Sequence, residues 1–305
     1  MTFSKGGKVD DMDVNTLITS VNSKLTSLGQ TTISNGVEGS PVYASTWIAL
    51  AAEITKLGSH QGTTLVSLPT VSQGLNTTAS TAFTTNVTAI NNFNAAAQSA
   101  TITNFSETTL AWYNYMTFTQ SVTFANATAA TNYFNAGGQI VLQFLHPAST
   151  ASIDALFNAL GTNCGTLVMS GHSSGTRTIA GTTYTGFQKV GGGGTAPTIS
   201  TTAGYAGLTT TSTQIFKQVG GTFTGASGTA YNQNFIQVNA YTTNNGATIN
   251  FVTTWDEVPN GLVTAAGNVN SRTRTTTYVL FRPPAITYIT NSWGTLAYSG
   301  SWAGQ

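Results

Sequence analysis

The stretch that decides the fold reads Phe235-Ile-Gln-Val-Asn-Ala-Tyr241, then Asn245-Gly246, then Ala247-Thr-Ile-Asn-Phe-Val-Thr-Thr-Trp255. Both arms alternate apolar and polar residues, which is the period of two expected of a half-buried β-strand. Asn-Gly between two such arms is typical of a type I′ turn, because both residues tolerate positive φ. The segment therefore predicts an antiparallel hairpin with one face against a core.

Strand patterns continue through the C-terminal two thirds of the chain. They come from alternation or from short apolar runs, and they cover residues 108–118, 139–145, 166–169 and 275–281. One short helix is predicted near 152–160, between Ser152 and the helix-ending Gly161. Residues 108–305 are therefore predicted to form an antiparallel, sandwich-like β-rich domain.

The first third of the chain has helical periodicity instead. Apolar residues recur every three or four positions from Val14 to Leu28, and again from Trp47 to Leu57, and Gly29 and Gly58 follow as the predicted helix ends. A third, weaker stripe runs over Ser80 to Gln98, where Thr and Asn lower the intrinsic helix propensity. We therefore expect a helical assembly or docking region over residues 1–107 and an α+β chain overall. Removal of residues 1–62 is expected to leave a folded β-rich domain.

Charge is scarce and unevenly placed. Only 6% of the 305 residues are charged, whereas 58 are threonine. Nine charges lie in the first 56 residues, but between residues 57 and 176 only Glu107 and Asp154 are charged. Two compatible interpretations of this low-charge stretch stay open. It forms a hydroxyl-rich β surface, because threonine suits a half-buried strand. Alternatively, it is buried against neighbouring subunits, because charged residues are depleted from interface cores.

The composition argues against several classes of protein. A net charge of +1 gives no electrostatic signature of nucleic-acid binding. No apolar run reaches the length of a membrane-spanning helix, and the start, Met1-Thr-Phe-Ser-Lys5, contains no secretory signal pattern. The single Cys164 fits no zinc spacing, and the three histidines are isolated in sequence. We expect assembly in the cytoplasm, with no metal, no cofactor and no membrane insertion.

One motif suggests catalysis. Gly171-His-Ser-Ser-Gly175 follows a predicted strand and matches the nucleophile elbow of serine hydrolases, with Ser173 as nucleophile. That chemistry requires a helix directly after the serine and a histidine later in the chain. The next residues favour a strand or loop, and no histidine follows His172. A serine hydrolase is therefore the least favoured reading, and no catalytic residue is assigned.

Exposed aromatic side chains would allow a different function, stacking on sugars. The candidates are Trp112, Tyr113, Tyr115, Tyr133, Tyr241, Trp255, Trp293 and Trp302. Most of them are better explained as core or interface residues. Binding of a host-surface glycan remains the alternative, with Trp293 and Trp302 as the residues to test.

The segment Asn132-Tyr-Phe-Asn-Ala-Gly-Gly-Gln-Ile-Val-Leu-Gln-Phe144 resembles a segment of virion structural proteins of tailed bacteriophages. The N-terminal arrangement is similar to the same group, with a helix around Asp13, then Leu28-Gly-Gln-Thr31, then a helix containing Trp47. The resemblance covers roughly residues 10–62 and 125–170. It implies a structural protein of the particle, without naming the tail, neck, baseplate, fibre or capsid surface.

The resemblance carries no catalytic residues. It implies a non-enzymatic virion component, present in symmetric copies, whose partners are copies of itself and other virion proteins. Receptor binding at a fibre tip and capsid decoration are the alternatives. The expected interface residues lie on the second helix and in the neutral 110–145 stretch: Trp47, Leu50, Ile54, Trp112, Tyr113, Tyr115, Tyr133 and Phe134. Tyr133 and Phe134 are also predicted to end a short helix, and Gly137-Gly138 to form a positive-φ exit into the next strand.

Overall fold

A computed structural model gives the fold of most of the chain. It describes residues 11–36, 42–70, 77–92, 103–108, 115–147, 152–171, 177–179, 181–194, 197–199, 204–220, 233–257 and 275–304. Within these ranges the chain is α+β, with helices at the N-terminal end and antiparallel sheets after them. The predicted fold class is confirmed.

Three helices open the chain: α1 (Asp11–Ser27), α2 (Ala44–Gln61) and α3 (Thr77–Asn92). The first ends at Gly29, whose φ of 66° is favourable for glycine, as its position after the apolar stripe predicted. The second runs past Gly58 and ends at Gly62, with φ 69°. Gly58 lies inside this helix, where its missing side chain makes room for Leu65. The third ends at Asn92, and residues 93–98 of its predicted range lie outside the described residues.

The strands form two large sheets and one small hairpin. Their bounds are β1 Thr103–Thr108, β2 Tyr115–Thr123, β3 Gln139–Leu145, β4 Thr166–Met169, β5 Arg177–Ile179, β6 Thr182–Tyr184, β7 Phe187–Val190, β8 Thr198–Ile199, β9 Thr213–Val219, β10 Phe235–Thr243, β11 Thr248–Asp256, β12 Thr276–Arg282 and β13 Ala297–Gly304. One sheet has the order β1-β12-β3-β4-β7, and the other β13-β2-β11-β10-β9-β8. Strands β5 and β6 form the hairpin.

The two large sheets pack face to face as a sandwich. Phe144 of β3 stacks on Phe216 of β9 with ring centroids 5.8 Å apart. Trp255 of β11 directs its indole N–H to the Thr277 hydroxyl of β12, 3.4 Å away. Gln120 of β2 donates to the Thr277 carbonyl at 2.9 Å. The predicted sandwich is therefore present, with polar contacts inside its apolar core.

The hairpin predicted over residues 235–255 forms as β10 and β11, in register from Phe235–Asp256 to Thr243–Thr248. Its turn differs from the predicted two-residue type. Four residues connect the strands, and Asn244, Asn245 and Gly246 all have positive φ, at 52°, 56° and 95°. Because Thr243 and Thr248 still pair, the Asn-Gly signal located the turn correctly but gave it the wrong length.

Two helices lie in the described part of the β-rich region: α4 (Ala127–Asn135), the short helix predicted to end at Tyr133 and Phe134, and α5 (Ser152–Cys164). Helix α4 begins at Asn126, whose side chain accepts a hydrogen bond from the Ala129 amide at 2.9 Å. Of the two glycines after it, only Gly137 has positive φ, at 101°. Gly138 is needed for another reason, since a Cβ there would lie 2.4 Å from the ring of Tyr133.

The helices and the sandwich share one hydrophobic core. Gln30, after α1, bonds the Thr290 amide and carbonyl at 2.8 and 3.0 Å. Asn135 of α4 donates to the carbonyl of Ser27 at 2.9 Å, and His60 of α2 contacts the carbonyl of Ala136 at 3.0 Å. Strand β1 also begins before the expected boundary at residue 107. Residues 1–62 therefore contribute to the same core as the β-rich part, and the expectation that this part folds without them stays a prediction.

Candidate assembly surface

The outer face of the six-stranded sheet is a broad polar surface with few charges. Strand β2 shows why the sequence builds it: Met116, Phe118, Gln120 and Val122 are fully buried, and the residues between them point outward. The register extends this face over five strands. Its side chains on the three central strands are Tyr115, Thr117, Thr119, Ser121, Thr123, Phe235, Gln237, Asn239, Tyr241, Thr243, Thr248, Asn250, Val252, Thr254 and Asp256. We call this set, with the outward residues of β9 and β13, the outer face.

Side chains on the outer face bond to one another across the strands. Ser121 donates to the Asn250 side-chain oxygen at 2.7 Å, and the Asn250 amide donates to the Thr243 hydroxyl at 3.1 Å. Thr123 and Thr248 hydroxyls lie 3.1 Å apart. These bonds fix the orientation of short side chains that have little rotamer entropy to lose. The outer face is therefore preordered, which lowers the entropy that a partner must remove on binding.

Charges on the outer face are confined to one end. There the Lys217 ammonium lies 3.7 Å from the centroid of the Phe235 ring, in cation–π geometry. Burial raises the pKa of Asp256, and the nearby Lys217 opposes that rise. The central part of the face, around Thr119 and Asn250, consists of hydroxyl, amide and apolar groups.

Strand β13 forms the edge of the same sheet and is almost entirely exposed. It pairs with β2 in continuous register from Ala297–Thr123 to Gly304–Met116. Its outward residues are small: Ala297, Ser299, Ser301 and Ala303. They extend the outer face without side chains that stand above it.

Five of the eight side chains expected at an interface lie in the chain's own core. Trp47, Leu50, Ile54, Tyr133 and Phe134 are at most 4% exposed. Trp47 packs on Phe83 of α3 at 4.7 Å, and the Tyr133 hydroxyl donates to the Gln139 carbonyl at 2.8 Å. The prediction that these five anchor a subunit interface is therefore corrected, because they have no surface to offer a partner. Helical and aromatic periodicity marks burial, and it does not distinguish a core from an interface.

Tyr115 is the one of the eight that the described residues leave exposed, at 39%. It lies on the outer face, at the start of β2. Trp112 and Tyr113 lie outside the described residues. The signal that marks the outer face is plainer than the aromatic one: Thr117, Thr119, Ser121 and Thr123 alternate with buried residues along a single strand.

The stretch with few charges is explained in part by burial. Strands β3 and β4 lie inside the five-stranded sheet, and their central residues are buried on both faces. Helix α4 also packs into the core through Ala129, Tyr133 and Phe134. Among the side chains that the structure describes in this stretch, the outward residues of β2 carry the neutral pattern to a solvent-facing sheet surface. The interpretation as a hydroxyl-rich β surface therefore fits β2, whereas β3, β4 and α4 lack charge because the chain buries them itself.

A buried polar cluster lies away from the outer face. The His146 ring places Nδ1 2.8 Å from the Thr275 hydroxyl and Nε2 3.3 Å from an Asp154 oxygen. Burial lowers the pKa of His146, and the bond to Asp154 opposes that change. Hydroxyl, imidazole and carboxylate thus meet, but the ring nitrogens are exchanged relative to a serine-hydrolase triad, in which Nε2 faces the hydroxyl and Nδ1 the carboxylate. All three residues are at most 1% exposed, so the cluster joins β3, α5 and β12 and presents no reachable nucleophile.

The other sequence candidates are scattered or fall on undescribed positions. Ser173 lies outside the described residues. Within the described ranges, no three His, Cys, Asp or Glu side chains come together to hold a metal ion. In the same ranges, no helix has the length and apolar content needed to span a membrane.

No protein-family model, curated protein or solved structure matches the chain. The function is therefore inferred from the geometry of the outer face and from the sequence resemblance.

Proposed function

We propose that the chain is a non-enzymatic structural component of a tailed-phage virion, assembling in symmetric copies through neutral, hydroxyl-rich surfaces. The observation that carries the assembly part is the outer face, a sheet surface on which hydroxyl and amide side chains are held by mutual hydrogen bonds. The assignment to a tailed phage rests on the resemblance of residues 132–144 and of the N-terminal segments.

A neutral polar surface suits a particle that must survive outside the cell. Ion pairs at a subunit contact weaken as salt rises, because mobile ions screen exposed charges. Hydroxyl and amide contacts carry no net charge and lack this dependence. The location proposed for the protein is thus the assembled virion, with assembly in the host cytoplasm.

Two experiments test the proposal. Electron cryo-microscopy of phage particles encoding the chain should show it in symmetric copies, with the outer face against a neighbouring subunit. Sedimentation velocity of the purified chain should show self-association that changes little between 50 and 500 mM NaCl, about a threefold change in Debye length. Particles that lack the chain, or a solvent-exposed outer face in the particle, would contradict the proposal.

Glycan binding is the second candidate, and the structure narrows it. Tyr133, Trp255 and Trp293 are buried, whereas Trp302 is 44% exposed and Tyr115 is 39% exposed. Trp302 pairs with the inward-facing Phe118, whereas Tyr115 points outward, so the two lie on opposite faces of the sheet. They do not form one stacking platform. A glycan array with a Trp302→Ala variant tests the tryptophan that is exposed among the described residues.

A further inference from the structure

An open groove of about 430 Å³ lies at one side of the sandwich, between the edge strands of the two large sheets. Strand β7 ends the five-stranded sheet, and β8 ends the six-stranded sheet. Residues from both strands line the groove, with Thr183 and Thr185 from the neighbouring β6 hairpin. The groove is separate from the outer face and belongs to neither function proposed above.

The backbone of β7 offers unused pairing groups to this groove. The Ser170 amide donates to the Gly186 carbonyl at 2.8 Å, which fixes the alternation of the β4–β7 ladder. In an antiparallel pair, successive residues direct their N–H and C=O groups to opposite sides. Gln188 and Val190 therefore bond β4, and the N–H and C=O of Phe187 and Lys189 point to the open side. In the part of the chain described, no other strand pairs with that side of β7.

On the opposite side of the groove, strand β8 also offers backbone hydrogen-bonding groups, those of Ile199. The Gly220 amide donates to the Asn234 carbonyl at 2.8 Å, so the Lys217 backbone points from β9 toward β8. Thr198, which is paired with Lys217, then bonds β9, and Ile199 directs its backbone away from the sheet. Ile199 and Pro197 line the groove with apolar surface as well.

Lys189 sets the charge of the groove. Its ammonium spans the gap between the sheets, 3.1 Å from the Gln218 side-chain oxygen and 3.2 Å from the Gly193 carbonyl. Both described partners are neutral, so its positive charge is not compensated by either of them. A charged residue pointing inward on an edge strand normally blocks pairing with other strands. Here the same charge favours a strand that brings a carboxylate over a neutral strand.

We infer that the groove binds an extended, acidic peptide segment of another protein, which adds as a strand to β7. The backbone of the segment pairs with Phe187 and Lys189. In an antiparallel arrangement, the residue opposite Lys189 directs its side chain to the same face, and a Glu or Asp there reaches the ammonium. Strand addition supplies affinity through the main chain, and the carboxylate supplies specificity.

Fluorescence polarisation with labelled synthetic peptides tests this inference. The probes are an eight-residue peptide of alternating Thr and Val with one central Glu, the same peptide with Gln in place of Glu, and the Glu peptide with backbone esters replacing its amides at alternate positions. We expect the Glu peptide to bind at least about tenfold more tightly than the Gln peptide, as for a charge-assisted hydrogen bond. Two ester peptides cover both alternations, and one of them should lose binding because its pairing donors are gone.

Protein variants complete the test. Lys189→Met should remove the preference for Glu over Gln and leave the Gln peptide's affinity unchanged. Lys56→Met is the matched control, since this lysine pairs with Glu53 on α2, away from the groove. Absence of saturable binding, equal affinity for Glu and Gln, or binding unaffected in both ester peptides would overturn the inference. So would a dimer that Lys189→Met dissociates, because a second copy of the chain would then occupy the groove.

Discussion

The two faces of the six-stranded sheet are built from the same strands and have opposite chemistry. The inner face carries large apolar residues such as Phe118 and Trp255, which are fully buried. The outer face carries Thr, Ser, Asn and Gln at the alternate positions, from the exposed Thr119 to the buried Asn250, and several of these side chains bond to one another. Side chains on the inner face determine whether the chain folds. Those on the outer face contribute little to folding, so their order and neutrality are available for contact with a partner.

The inner face should respond most strongly to substitution. Trp255 packs against Phe144, His146 and Phe157 in edge-on or tilted contacts, at centroid distances of 6.1 to 6.4 Å. Trp255→Ala should lower the free energy of unfolding by about 3–5 kcal/mol, through lost burial and a residual cavity. Chemical denaturation measures this. Thr254→Ala, one residue away on the outer face, is the matched control and should change stability by less than about 0.5 kcal/mol. Equal effects would remove the distinction between the faces.

Acid should weaken the core before it affects the outer face. Burial lowers the pKa of His60 and of His146, so the folded chain takes up these protons at lower pH than the unfolded chain does. Their contribution to stability is present above about pH 6.5 and is lost as pH falls toward the folded pKa. The free energy of unfolding should fall by up to about 1.4 kcal/mol per pH unit for each histidine.

Denaturation curves between pH 7 and 5 test this, with His60→Gln as the comparison. The glutamine keeps an N–H near the Ala136 carbonyl and does not titrate, so the variant should lose about half of the slope. An unchanged slope in the variant would mean that His60 does not contribute to the acid sensitivity.

The hydrogen bonds of the outer face should have a smaller effect. Ser121→Ala removes the donor to Asn250 and should lower the free energy of unfolding by about 0.5–1.5 kcal/mol. Ser299→Ala is the control, because Ser299 lies exposed opposite Ser121 on β13. If both variants unfold at the same denaturant concentration as the parent chain, the outer face is not preordered by these bonds.

Much of the fold follows from local pattern. The β10–β11 hairpin, the alternation of β2 and the helix end at Gly29 were all readable from periodicity and turn residues. Helix α4 was predicted only by its C-terminal end, at Tyr133 and Phe134, because nine residues with several Thr and Asn give little helical signal. The pairing of β12 between β1 and β3 depends on contacts between distant segments, which periodicity does not encode.

The sequence predicted the chemistry of the candidate surface but not which residues form it. Low charge and abundant threonine indicated a neutral hydroxyl-rich surface, and β2 carries it. The aromatic residues chosen as interface anchors were mostly core residues, because Tyr133 and Trp47 have the same local pattern whether they pack within a chain or between chains. The groove at β7 was not foreseen, since an unpaired edge becomes visible only when the sheet order is known.

The most direct test of the outer face is a single charge at its centre. Thr119 is exposed on β2, opposite Ser301 and Val252, and Thr119→Lys places an ammonium there with less than about 0.5 kcal/mol effect on stability. Thr55→Lys, on the exposed side of α2, adds the same charge elsewhere. In sedimentation velocity, the parent chain and Thr55→Lys should associate, and Thr119→Lys should remain monomeric with an unchanged melting temperature. Association of Thr119→Lys equal to that of the parent chain would contradict assembly through this face.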